Sequence, residues 1–149
     1  MSACYNDTLT VQQISLETGI PLPYLDDEIK ELENKSVYMC FSTDMIHSGH
    51  VAIIKKASML GKLIIGVLSD EAVASFKRFP LMPFEERKTL VENINGVHKV
   101  IEQKQLSYAE NLREINPDYV VHGDDWLVGY QANIRQRVIE TLKAWNGEL

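Results

Sequence analysis

Short apolar runs alternate with segments of helical period along most of this chain. Residues 37–41 (VYMCF), 62–68 (KLIIGVL), 97–101 (VHKVI) and 118–122 (DYVVH) are brief and rich in β-branched or aromatic side chains, the pattern of strands buried on both faces. The segment HVAIIKKASMLG places Ile53, Ile54, Ala57 and Leu60 on one side and Lys55 and Lys56 on the other. Gly61 stands where a helix wants a C′ residue with positive φ. In PFEERKTLVENI, Pro83 falls at or near N1, carboxylates fill the first turn, and Leu90, Val91 and Ile94 are expected inward. Further helices are predicted over 107–115, ended by Asn116-Pro117, and over 131–145, ended near Asn146-Gly147. Strand and helix in repeated alternation predict an α/β fold, a Rossmann-like doubly wound parallel sheet with right-handed crossovers.

The first 36 residues break this rhythm. Seven acidic side chains against Lys30 and Lys35 give 2 − 7 = −5, nearly all of the −6 carried by the 149-residue chain. TVQQISLETGIPLPYLDDEIKELE reads as two short helices broken at GIPLP, with Val11, Ile14 and Leu16 facing Leu25, Ile29 and Leu32. The outline is that of a helix-turn-helix, but its second helix would bring carboxylates toward phosphates and has no arginine. That charge argues against a nucleic-acid reader and for a docking or oligomerisation hairpin. The expected division is therefore an N-terminal hairpin over 1–36 and an α/β domain over 37–149.

An apolar content of 45% over this length supports one real core. No apolar run is long enough to span a bilayer, and MSACYNDTLT lacks the basic and apolar regions of a signal peptide. A cytoplasmic protein with neither membrane nor nucleic acid as partner is expected. Cys4 and Cys40 are expected as free thiols, because two separated cysteines make neither a disulfide framework nor a zinc site.

In an open parallel sheet, ligands bind outside the carboxyl ends of the strands. STDMIHSGH follows the first predicted strand, SDEA the second and GDDW the fourth, so three polar clusters share one edge. A helix starting near Ser48 or Gly49 sets His47 and His50 beside unpaired backbone N–H groups and the positive end of the dipole, a place suited to phosphate. Gly49 leaves that backbone open, and Asp44 is placed to orient the loop or a metal ion. Two imidazoles there suit stabilisation of the charge that grows on a nucleotide α-phosphate under attack, and on this reading they are catalytic and not folding residues. Each cluster also has a plainer reading: a solvated histidine at a strand end, GDDW as a turn, FKRFP as a basic surface loop, and Arg87 as a surface partner of Glu85 or Glu86.

STDMIHSGH resembles the HxGH signature of the cytidylyltransferase-like nucleotidyltransferases, and LSDEA, PFEERK and HGDDW follow in that family's order from about Val37 to Leu149. VASFKRFPLMPFEERKTLVENINGV and NPDYVVHGDDW are most similar to the cytidylyltransferase domains associated with phosphoenolpyruvate mutase in phosphonate pathways, and more distantly to glycerol-3-phosphate cytidylyltransferase. The resemblance implies transfer of CMP from CTP, with Mg²⁺, to a small phosphate or phosphonate acceptor and release of pyrophosphate. Acceptors of that kind include 2-aminoethylphosphonate, phosphocholine and glycerol 3-phosphate.

The same resemblance implies His47 and His50 as transition-state donors, with Lys77 or Arg78 reaching the phosphates from a loop. It places Ser42, Thr43, Asp44, Gly49 and Arg87 with the histidines around the nucleotide's phosphates, and Gly123, Asp124, Asp125 and Trp126 along its base and ribose. No residue is assigned as a direct metal ligand. A homodimer, and association with a phosphoenolpyruvate mutase domain or protein, are the implied assemblies. The family opens its loop Gly-Thr-Phe-Asp where this chain has Phe41-Ser42-Thr43-Asp44, and it continues beyond the fourth helix into a strand and an ISST-type motif that WNGEL stops short of. The domain is accordingly expected to be truncated before that motif, and a nucleotide- or partner-binding domain without turnover is the alternative expectation.

Overall fold

The first strand, β1 (Ser36–Phe41), sends Val37 and Met39 to one side of the sheet and Tyr38 and Cys40 to the other, and all four are buried. A strand covered on both faces needs helices on both sides. The computed structural model of the chain supplies them; it describes residues 33–127 and 129–149, with Leu16, Gly19, Asp27, Lys30 and Glu31 before them. After β1 come α1 (Ser48–Ser58), β2 (Lys62–Leu68), α2 (Asp70–Ala74), α3 (Phe84–Glu92), β3 (Val97–Gln103), α4 (Ala109–Ile115), β4 (Tyr119–Val120) and α5 (Ala132–Leu142). Short 3-10 turns stand at Asp124–Leu127, Gly129–Gln131 and Lys143–Trp145.

The described sheet is parallel throughout and ordered β3-β2-β1-β4, so the chain reverses its direction of travel across the sheet between β1 and β4. One core cluster joins Val37, Met39, Leu63, Ile65 and Val67 to Ile54 and Ala57 of α1 and Val91 of α3. The other joins Tyr38, Cys40 and Leu68 to Leu112 of α4 and Val138 and Leu142 of α5. Gly66 lies on this second side: a Cβ there would overlap the Tyr38 hydroxyl and come within 2.8 Å of Tyr38 Cζ. Tyr38 fills that space and donates to Gln103 Oε1 at 2.6 Å, while Asn111 Nδ2 donates to the Tyr38 oxygen at 2.9 Å.

The α/β expectation holds, with local corrections. Helix α1 reaches its C-cap at Met59, so Leu60 leads outward at 39% exposure and Gly61 is not the C′ residue. Gly61 is needed for close approach instead, since a Cβ there would meet the Lys35 carbonyl oxygen at 2.5 Å. Leu90 is 47% exposed because the inward residues of α3 are Arg87 and Val91, beside which it falls, while Ile94 packs on the core from beyond the C-cap Asn93. Pro83 is the N-cap of α3, and SDEA forms the separate short helix α2, whose N-cap Ser69 accepts from Ala72 N–H at 3.1 Å. β4 is shorter than its apolar run, and Tyr119 also bridges in parallel to Glu148 on its other side.

The chain divides into two units, Met1–Asn34 and Lys35–Leu149. The expected hairpin, like Cys4, lies largely outside the described residues; Leu16, placed in its apolar seam by the sequence pattern, is 85% exposed. Among the described residues no helix is long and apolar enough to cross a membrane.

Candidate functional site

Helix α1 begins with a cap made of two imidazoles. His47 is the N-cap in extended conformation, and its Nδ1 accepts from the Gly49 N–H at 3.1 Å. The His47 backbone N–H in turn donates to Nδ1 of His50 at 3.3 Å. The ring centroids stand 4.1 Å apart, and the His50 ring meets Phe41 edge-on at 5.3 Å. With both Nδ1 atoms accepting, the proton of each neutral ring belongs on Nε2, which remains as a donor. Burial, and then the neighbouring His47, hold His50 below the ordinary histidine range and favour that neutral form.

Gly49 has a local reason as well as the open backbone expected of it. A Cβ there would fall 2.9 Å from His47 Cε1 and 3.0 Å from its Nδ1, so the glycine allows the ring to fold over the helix start. The two histidines therefore do cap the helix, a folding role that the sequence reading denied them.

The loop between β1 and α1 is anchored from below. Thr43, 3% exposed, has φ of 54°, a left-handed backbone that costs a β-branched residue on the order of 1–3 kcal/mol. Asp44 is buried, with Oδ1 accepting from the N–H groups of Leu81 at 2.6 Å and Met82 at 3.4 Å, and Oδ2 paired with Arg78 at 3.0 Å. Desolvation pushes the Asp44 carboxyl upward, but the two backbone donors and the guanidinium outweigh it and hold it below the usual carboxylate range. Asp44 thus orients the loop that follows α2, with both of its oxygens engaged. Lys77 reaches the same region, donating to Ser42 Oγ at 2.9 Å, and the Arg78 side chain is 58% exposed.

Arg87 is not a surface partner of Glu85 or Glu86, nor does it reach solvent. It is 0% exposed and donates to the carbonyls of Met82 at 2.9 Å, Ser42 at 2.6 Å and Leu68 at 2.7 Å, and to Asp70 Oδ1 at 2.6 Å. The expected phosphate contact becomes a positioning role, because the guanidinium is already occupied in holding three loops together. Asp70, its ionic partner, was not singled out in the sequence; nothing local in SDEA marks a side chain whose partner lies 17 residues away.

On the far side of β1, His122 stacks on Trp126 with ring centroids 3.7 Å apart and planes 8° from parallel. Trp126 is 4% exposed and also meets Tyr108 edge-on at 5.1 Å, so the tryptophan expected along the base and ribose is largely a core residue. His122, which the sequence reading passed over, takes the more open position. Asp124 opens the 3-10 turn that follows, and the Asp125 side chain is exposed, with Oδ1 3.4 Å from His122 Nδ1. At Gly123 a Cβ would meet that same Oδ1 at 2.8 Å.

Between these two sides opens a cleft of about 460 Å³, at the reversal of strand order. Its walls include Phe41, Ser42 and Lys77 on one side and His122 and Trp126 on the other, with Cys40 and Gln103 also lining it. His47 and His50 are not among its lining residues; Phe41, whose ring meets His50, connects the two. Burial pushes the Cys40 thiol up to about 12, so it is no thiolate near neutral pH. A helix start with two N–H donors and a nearby lysine suits a phosphoryl group, and a cleft with aromatic walls suits the body of its carrier.

Comparisons with known proteins bear on the family and the fold. The ethanolamine-phosphate cytidylyltransferase of Arabidopsis thaliana is 37% identical over 95 residues, which cover 60% of this chain and 23% of that protein. The FAD synthase of Methanopyrus kandleri is 34% identical over 86 residues, 55% of this chain and 57% of that enzyme. The chain thus spans only part of the length of the curated relatives it matches. Among solved structures, the lipopolysaccharide core biosynthesis protein of Thermoplasma volcanium shares the fold, with a TM-score of 0.65 at 18% identity over 77% of this chain and 91% of that one. A family model described as Cytidylyltransferase-like matches residues 40–145, and the chain belongs to that family.

Proposed function

We propose that this chain catalyses nucleotidyl transfer, with a phosphate or phosphonate oxygen of a small acceptor attacking the α-phosphorus of CTP and pyrophosphate leaving. The observation that carries the reading is the histidine pair at the start of α1, where both Nδ1 atoms are taken by backbone N–H groups and both Nε2–H groups remain to donate. Donors so held need no reorganisation as charge grows on the equatorial oxygens. Lys77, bridged to Ser42, adds a cation within the same loop system.

Mg²⁺ enters as part of the nucleotide substrate. Among the described residues no group of three or more His, Cys, Asp or Glu is placed to hold a metal, and both Asp44 oxygens are engaged by the protein. These residues fit a cation carried by the triphosphate, where it neutralises β- and γ-phosphoryl charge.

The relatives divide between a cytidylyltransferase and FAD synthases, which supports adenylyl transfer from ATP as a second reading. Pyrophosphate release from CTP and from ATP separates the two. The acceptor panel is 2-aminoethylphosphonate, phosphoethanolamine, phosphocholine, glycerol 3-phosphate and flavin mononucleotide. A phosphonate preference would favour the finer reading, with a phosphoenolpyruvate mutase as neighbour. Nucleotide binding without release from any pair would leave a domain that binds and does not turn over.

A further inference from the structure

The groove between α4 and α5 is a second cavity, of about 630 Å³. Along α5 its lining residues Ile134, Arg137, Val138 and Thr141 recur at i, i+3, i+4 and i+7, one helical face. Arg113 lines it from the last turn of α4. The floor is apolar, with Val138 and Tyr108 buried, whereas both arginines are exposed.

Among the described residues neither guanidinium has a hydrogen bond or ion pair; the arginine pairs are Arg78 with Asp44 and Arg87 with Asp70. Glu140 also lines the groove and is held by Gln136 at 3.1 Å. The charge of the described lining is 2 − 1 = +1, in a domain where residues 37–149 carry 13 − 14 = −1. Two unpaired guanidiniums over an apolar floor match a ligand that is apolar at one end and anionic at the other.

We propose that this groove binds a small organic anion, its ring-sized body on the apolar floor and its oxyanion between Arg113 and Arg137. The groove adjoins the cleft beside β1 through Leu106, Tyr108 and Ile134 but includes neither Lys77 nor the histidine loop, so its anion contacts, Arg113 and Arg137, are distinct from those of the transfer reaction proposed above.

The test is titration of the whole chain with phenyl phosphate, benzoate and uncharged phenol, followed through the backbone amide resonances of Arg113, Arg137 and Thr141. Binding of either anion with perturbation of those amides is expected, with phenol about tenfold weaker or more. The tighter anion identifies the ligand's head as phosphate or carboxylate. Arg113→Gln combined with Arg137→Gln should weaken binding about tenfold at unchanged melting temperature, and Glu140→Gln should tighten it. Equal binding of phenol, equal affinity in the double variant, or perturbation confined to the His47–His50 loop would overturn the assignment.

Discussion

The Arg87 guanidinium donates to the Ser42 carbonyl at 2.6 Å, tying α3 to the loop after β1 across 45 residues of sequence. The same buried side chain holds Leu68, Met82 and Asp70. Arg87→Met would strand several of these acceptors and should cost about 3–5 kcal/mol of stability, with turnover falling as the loop loosens. Arg87→Lys keeps the charge without the fork and should fall between the two. Urea unfolding of both variants tests this; normal stability with lost turnover would make Arg87 a ligand contact after all.

His47 has two roles that substitution can separate. Alanine should lower turnover about 10²–10³-fold through loss of a donor, and stability by about 0.5–2 kcal/mol through loss of the cap. Asparagine retains a cap acceptor but no ring N–H, so His47→Asn should recover most of the stability and little of the turnover. Recovery of both would reduce the histidine to its cap.

Gly66 and Tyr38 should couple. Gly66→Ala forces a methyl into the Tyr38 ring and hydroxyl and should cost at least about 1–3 kcal/mol. Tyr38→Phe alone releases Gln103 and Asn111 and should cost about 1–3 kcal/mol. Combined, the two should cost less than their sum, because the hydroxyl that collides is gone. Strict additivity in denaturant midpoints would contradict the geometry.

Acid should reach the site in two steps. Folded His50 is depressed, so on acidification the unfolded chain takes up the proton first; its stability contribution is whole above about pH 6.5 and declines as pH falls toward the folded value. Asp44 is also depressed, so its contribution is whole above about pH 4 and is lost as pH falls through the folded value. Denaturant midpoints against pH should show both declines, with His50→Gln removing the upper and Asp44→Asn the lower. An upper decline unchanged in His50→Gln would assign it to another group.

What the sequence determined by itself was the parallel sheet, the edge that carries the polar loops, and the start of α1 at the histidines. Strand faces follow from near neighbours, since alternation places Val37 and Tyr38 on opposite sides; the parallel sheet and its ligand edge follow from the repeated order of strand and helix, and the start of α1 from the helix-period segment that the histidines introduce. Only the tertiary structure decided that Arg87 is buried, that Asp44 serves the Leu81–Met82 backbone, and that His122 lies on Trp126, which is largely core. An arginine on a helix has the same local pattern whether it faces water or the carbonyls of Ser42 and Leu68. Which one it meets depends on how crossovers of tens of residues close, and that closure is set by the packing of the whole sheet.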